Sequence, residues 1–561
     1  MNELAIGFRS QDRSKWASAV LFSSAFMQLL DVSILNVAIP SIQSNLNASY
    51  SDIESIVTSY QVAFATSLLI ASKLGDRYGR RRLFLIGVAG FVIASAFCGV
   101  APKISYLIIA RIFQGLFSGL MIPQVISIVQ VTYIGAKRAR VLGAYGGIIG
   151  LATVAGPLAG GILIRLDLAK LDWRLIFFVN IPVGIFSFVG GMALLSETRS
   201  SNLVKINYRS AATIALGIGL LVFGLVDGRN LRWPLWILAD LLIAVLLIIL
   251  FLVIEQKASL SGKDGLIKYS FLTQHSFALG LIVFLVFFAG ITPFFFAFSI
   301  FLQEGNNYTP LAAGVTTIPF AAGAAIVSLF ASRLKPELAK RLMLLGSGAL
   351  IVAMMVMVEL LYHVGAQLSG FQLVIPLFLA GAGLGIFMGP GSSLILSRVP
   401  QIEAGTASGA ISTAQQVGGA IGIAIIGLAF FTLMGNNADL AFNSQIGSVT
   451  QELHILKISP TLISEGEHAF KICVHDKAVA NDPSALPLSC EALGVGIDTA
   501  PIAASVQQKL IGIFTTVGQN IAQTDFLVSI REILWIEAMI FAIVGTLVVG
   551  LDEFYEIPLE C

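Results

Sequence analysis

Charge is scarce in this chain. Of its 561 residues only 12% are Asp, Glu, Lys or Arg, about half the share of an average soluble domain. The net charge is +2, so no basic face is available for a nucleic acid. There are four cysteines and five histidines, and the histidines are not spaced within the apolar stretches for a metal or catalytic centre. His468, Cys473, His475 and Cys490 fit no common zinc spacing. No G-x-x-x-x-G-K-[ST] run occurs, which argues against ATP drive. The start, MNELAIGFRSQDRSKW, is short and polar and lacks a small-residue cleavage site, so the first apolar segment is expected to be retained.

Apolar residues are abundant instead, at 56% with 38 Phe. A soluble fold could not hide that surface, so the expected fold is an all-α integral membrane protein. A span needs roughly 20 mostly apolar residues. Fourteen segments qualify: 16–42, 53–74, 83–101, 104–130, 141–164, 174–196, 210–228, 233–254, 275–302, 310–333, 341–363, 371–397, 407–434 and 527–551. With the N-terminus in the cytoplasm, twenty-two Lys and Arg fall in the inner connections and six in the short outer ones. That bias places both termini inside. The polar segment 435–526 then lies outside, as a loop whose scattered helical patterns suit a small cap. It holds Cys473 and Cys490, in the one region open to an oxidising compartment, so these form the candidate disulfide.

The chain also repeats itself. Ala71-Ser72-Lys73-Leu74 returns as Ala331-Ser332-Arg333-Leu334, and Gly143, Gly156 and Gly161 return as Gly409, Gly422 and Gly427. Pro123 returns as Pro390. Near-constant offsets imply two halves on one six-helix plan, with an extra pair between them. The expected divisions are an N-terminal half at 1–200, a linker pair at 201–270, five helices of the second half at 271–434, the outer loop at 435–526, and the last helix and tail at 527–561. Parallel repeats of this kind are a transporter trait, with the substrate site at the repeat interface.

Several stretches carry a family resemblance. Leu74-Gly75-Asp76-Arg77-Tyr78-Gly79-Arg80-Arg81 resembles the loop between helices two and three of the major facilitator superfamily. Arg111-Ile112-Phe113-Gln114-Gly115 resembles its fourth-helix motif, and Gly156-Pro157-Leu158-Ala159-Gly160-Gly161 a fifth-helix motif associated with exporters. Leu30 to Pro40 and Trp173 to Pro182 resemble stretches of the fourteen-helix drug:proton antiporter branch. The resemblance implies proton-coupled efflux of lipophilic small molecules by alternating access, driven by the proton gradient with no cofactor; the short N-terminus and compact loops suggest a bacterial inner membrane. A proton-coupled nutrient importer of the same fold is the alternative. Gly75 and Gly79 are expected to permit the tight reversal between helices two and three, and the resemblance implies that Asp76, with Arg77 and Arg80, latches the cytoplasmic side to neighbouring helix ends as a conformational gate; a periplasmic adaptor protein stays open as partner of the outer loop.

Asp31 is the sharpest residue. It lies mid-helix, where a carboxylate is costly and by default functional. It suits a group that takes up a proton on one side and gives it up on the other. Arg111 lies at nearly the same depth, within reach directly or through Gln114. Gly156, Pro157, Gly160 and Gly161 permit close, sliding helix contacts. Asn36, Gln61, Gln124, Gln415 and Gln416 are cavity candidates. Phe294, Phe295 and Phe296 are expected to face lipid rather than a drug pocket. Asp240 and Glu537 are read as solvated helix ends. Asp31 is then the one deep acid in the central helices, which favours neutral or monocationic substrates.

Overall fold

The described residues of the computed structural model are helical, with turns between the helices. Described are residues 2–133, 155–198, 207–231, 233–261, 273–331, 334–365, 368–397, 404–456, 460–478, 487–499 and 504–552, with a few single residues between them. In lipid a backbone must satisfy its own polar groups, and a helix does so within one segment.

The N-terminal half contains α1 (Asn2–Leu46), α2 (Tyr50–Tyr78), α3 (Arg80–Gly99), α4 (Ile104–Thr132), α5 (Ala155–Leu166) and α6 (Asp172–Leu194). The pair α7 (Tyr208–Asn230) and α8 (Leu235–Leu260) follows. The C-terminal half contains α9 (His275–Gly305), α10 (Pro310–Ala331), α11 (Ala339–Val364), α12 (Val374–Leu396), α13 (Ala404–Ile455) and α16 (Ala504–Val549). Two further helices, α14 (Pro460–Ala478) and α15 (Leu488–Thr499), stand between α13 and α16.

Among the described residues twelve helices are long and apolar enough to cross a membrane. The 29-residue α2 and the shorter apolar α5 are not among them, and they stand where the sequence places the second and fifth spans. Local chemistry fixes the ends. At the start of α2, Ser49 Oγ accepts from the Asp52 amide at 3.1 Å, and the Asp52 carboxylate accepts from the Ser49 amide at 2.9 Å. That reciprocal cap satisfies two donors that the first helical turn leaves open.

Within the first half α4 packs on α2 and α3, and α6 on α1 and α3. Within the second, α12 packs on α10 and α11, and α16 on α9, α11 and α13. The extra pair packs on itself, and α7 lies against both α2 and α13, at the seam of the halves. The outer face of α8 exposes Leu238, Leu242, Leu246 and Leu250, as a lipid-facing helix does.

The segment 435–526, expected as an outer loop suited to a small cap, is mostly helical among its described residues. α13 runs on to Ile455, and α16 begins at Ala504, so both helices continue well past the apolar limits 434 and 527. With α14 and α15 they form a helical cap with its own core, which includes Phe442, Ile463, Phe470, Phe514 and Ile521. The rings of Phe470 and Phe514 lie 4.8 Å apart. Once a helix leaves lipid its outward faces turn polar while its backbone continues. A hydropathy limit therefore marks the membrane surface rather than the helix end. Cys473 of α14 and Cys490 of α15 are joined by a disulfide.

Candidate functional site

Asp31, on α1, is fully buried beneath α4 and α6. Its Oδ2 accepts from Arg111 Nη1 at 2.6 Å, and its Oδ1 accepts from Gln114 Nε2 at 2.8 Å and Asn180 Nδ2 at 2.7 Å. Gln114 Oε1 in turn accepts from Arg111 Nη1 at 2.7 Å. Arg111 is 1% exposed, and its guanidinium lies 4.2 Å from the centre of the Tyr60 ring. Arg111 Nε also donates to the Ile56 carbonyl at 3.4 Å. A second tier holds these groups: Asn180 donates to Ser95 Oγ, which donates to the Phe177 carbonyl. Tyr60 donates to Ser118 and accepts from Gln28.

The sequence places these groups for simple reasons. Arg111 and Gln114 are three apart on α4, so they share one face. α6 starts with a broken turn over Asp172–Phe178, and Asn180 opens its regular part, aimed across at α1. The result is a charge pair with three donors on one carboxylate, closed off from water. A buried pair of this kind is expensive to break, because the partner left behind keeps an uncompensated charge. Protonating Asp31 breaks it chemically. The arrangement therefore ties one proton to the packing of three helices.

A second feature is the seam between the halves. Define the cap end as the end where α13 enters the cap. Near it, the Tyr50 ring of α2 stacks on Phe431 of α13 at 3.9 Å, and Glu54 is buried against Gly427. Deeper, Thr413 Oγ1 donates to the Ala65 carbonyl at 3.4 Å. Ser299 of α9 donates to the carbonyl of Asn36 on α1 at 2.6 Å. On α5, Gly156 and Gly160 lie against Ser33 and Ile34 of α1, and Gly161 against the backbone of Leu311 on α10. A Cβ on Gly161 would lie 2.5 Å from Leu311 Cα. Pro157 lies beside Gly314 of α10. The halves thus close on each other from the cap end to mid-membrane.

The sequence profile of the Major Facilitator Superfamily matches residues 21–210 and 207–423. The chain belongs to that superfamily. A probable actinorhodin transporter of Streptomyces coelicolor is 33% identical over 85% of this chain and 83% of its own. A tetracenomycin C resistance and export protein of Streptomyces glaucescens is 31% identical over 73% and 74%. A puromycin resistance protein of Streptomyces alboniger is 28% identical over 74% and 81%. Among solved structures, a POT family transporter aligns with a TM-score of 0.55 at 13% identity, covering 74% of this chain and 90% of its own. A bacterial homologue of the human lysosomal transporter Spinster aligns at 0.53 and 14%, covering 96% and 98%. Both share the major facilitator fold.

The superfamily loop between α2 and α3 is tied to α6. Gly79 has φ +108°, a region that favours glycine, and sits against the Glu197 carboxylate. Glu197 accepts from the amides of Arg81 and Arg82, both at 3.2 Å, at the open start of α3. Arg81 donates to the carbonyls of Gly191 and Met192, at the end of α6. Only Gly79 makes the turn. Gly75 is inside α2, where the side chain of Gln124 lies against it. Arg77 is exposed, and the Arg80 amide donates to the Thr198 carbonyl. The Asp76 side chain and Gly143, Gly146, Gly147 and Gly150 lie outside the described residues.

Other expected positions divide. Asn36 and Gln415 are half-buried, while Gln61 and Gln124 are buried. Phe294 and Phe296 are buried in the second half rather than facing lipid, because α9 is an inner helix covered by α13 and α16. Asp240 is half-buried beside Gly224 of α7. Glu537 is not a solvated end but fully buried, since α16 is covered at that depth by α9, α11 and α13. Glu537 is thus a second deep acid, on the last helix. Asn180 was not singled out from sequence, although it lies within the quoted Trp173–Pro182 stretch.

Proposed function

We propose that the chain is a proton-driven exporter of lipophilic small molecules and belongs to the fourteen-helix drug:proton antiporter branch. The buried Asp31–Arg111 pair, bridged by Gln114 and held by Asn180, is the observation that carries this reading. Relatives named for actinorhodin, tetracenomycin C, puromycin and multidrug resistance support the substrate class. α2 and α5 complete the fourteen spans. The Lys and Arg bias supports both termini in the cytoplasm and the cap outside, in the cytoplasmic membrane.

On this reading the seam at the cap end is the outer gate, closed here. The charged pair holds α1, α4 and α6 in one packing. A proton arriving from outside neutralises Asp31 and frees Arg111, whose remaining partners are Gln114, the Ile56 carbonyl and the Tyr60 ring. Substrate leaves outward in that phase, and re-pairing follows proton release inward. The proton gradient is the whole energy supply.

The test is Asp31→Asn in a pump-deficient host and in inside-out vesicles. Wild type is expected to confer resistance and, on adding substrate, to dissipate an acid-interior gradient. The variant should do neither. Equal resistance from both proteins would sink the assignment.

A further inference from the structure

Glu537 stands apart from every group used so far. It is fully buried on α16, and neither carboxyl oxygen has a hydrogen-bond partner. It lies twelve residues from Asp525 and twelve from Val549, about 18 Å of helix rise on either side. The neighbouring contacts fix its level. Gly290 faces Ile540 and Phe541, and Gly305 faces Phe526, which sets Glu537 level with Phe294 of α9. The Arg531–Tyr362 and Gly545–Ser347 contacts set it level with the Met354–Met357 turn of α11.

No counter-charge faces it from the packed elements, among the described residues. On α9 the titratable groups are His275 and Glu304, at opposite ends. On α11, Lys340 and Arg341 lie at one end and Glu359, Tyr362 and His363 at the other. α13 carries no charged residue before Asp439, which pairs with Lys471 in the cap. On α16 itself Arg531 lies 5.0 Å from the Tyr362 ring, and Glu532 accepts from Asn437 at 3.5 Å. An ionised carboxylate with neither hydrogen bond nor counter-charge is not sustained at that depth, so Glu537 carries a proton in this conformation.

Its location gives that proton a use. α16 packs directly behind α9 and α13, the two helices through which the second half meets α1 and α2 at the seam. We propose that Glu537 is a second proton-carrying site, in the half opposite Asp31, loaded from the cap side while the cap end is open, occluded with its proton once the cap end has closed, as here, and emptied towards the inner end before the cap end reopens. The two sites are chemically opposite: Asp31 is charged and paired here, Glu537 neutral and alone. This inference rests on the antiport reading above and adds one proton to each cycle.

Two measurements test it. Wild-type protein in membranes is treated with dicyclohexylcarbodiimide, which modifies protonated carboxyls in apolar surroundings, and mapped by mass spectrometry across pH. Modification at Glu537 should be present at acid pH and lost as pH rises. No modification at any pH, or modification indifferent to pH, overturns the proposal. The second uses Glu537→Gln, which has the shape of the protonated acid, in proteoliposomes, with puromycin or ethidium as the probe that the resistance panel reports as exported. Probe exchange should persist while the proton-to-probe ratio falls by one. An unchanged ratio overturns the proposal, and Glu537→Leu, which tolerates the same apolar setting, must give the same answer. If Asp31→Asn retains full resistance, the antiport reading itself fails; if only the Glu537 results fail, that reading stands and the second site does not.

Discussion

Removing both charges of the Asp31–Arg111 pair should cost less than the sum of removing each alone. In Asp31→Asn the carbonyl still accepts from Arg111, but the new amide faces donors where a carboxylate stood. Gln114 cannot turn to meet it, because its oxygen already accepts from Arg111 at 2.7 Å. A flip of Asn180 brings its unpartnered Oδ1 to the new amide, at the loss of its bond to Ser95 Oγ. Hydrogen bonding is thus only partly restored, and the guanidinium is left unpaired. Breaking a buried pair in this way costs roughly 3–5 kcal/mol. Arg111→Gln strands the carboxylate, with two donors left on it from Gln114 and Asn180, and should cost a similar amount. The double variant leaves a neutral, polar cluster, and its loss should fall short of the sum of the two single losses by a coupling of about 2–3 kcal/mol. The assay is denaturant unfolding of the purified protein in mild detergent, with all four proteins compared. Additive losses, or single variants as stable as wild type, would refute the claim that these charges depend on each other. None of the variants should couple transport to protons.

Other expectations follow from single contacts. Gly79→Val forces a branched side chain into a glycine-only backbone region and onto Glu197, so stability should fall by about 1–3 kcal/mol in the same unfolding assay. Gly161→Val overpacks against Leu311 only when the cap end is closed. A strain of about 1.4 kcal/mol there shifts the balance of states about tenfold toward opening, read as greater thiol labelling of a cysteine placed at Phe431, with the fold retained. Replacing Cys473 and Cys490 together by Ser releases a link across 17 residues, worth about 3 kcal/mol to the cap, and should make the cap protease-sensitive while the spans stay intact.

Charge was the best guide from sequence to site. Asp31 and Arg111 announce themselves because ionised groups inside lipid are rare and need each other. Asn180 does not, since an amide near a helix start has many harmless uses, and only the broken turn of α6 aims it at Asp31. Glu537 was misjudged for a different reason. The last span was drawn from hydropathy alone, so the acid was placed near an end, and how deeply α9, α11 and α13 cover it is a tertiary fact. The same limit set the ends of α13 and α16 too short, because they run on with polar faces into the cap that the helical patterns of 435–526 suggest. The two-half plan, by contrast, is written into residues such as Pro123 and Pro390, which recur inside α4 and α12.

The length of α13 has a mechanical consequence. Its 52 residues amount to about 78 Å of helix, more than twice the ~30 Å thickness of a hydrocarbon core. Welded to α16 by the aromatic core of the cap, it behaves as a pointer pivoted within the bilayer. A rocking of ~10° about mid-membrane swings a tip ~50 Å away through roughly 9 Å, by the rise of a helix alone. Motions that are small and hidden between the halves are thereby written large in the water outside. A pair of labels, one on the cap and one on a fixed connection of the first half, would read the transport state of a single molecule without touching its substrate path.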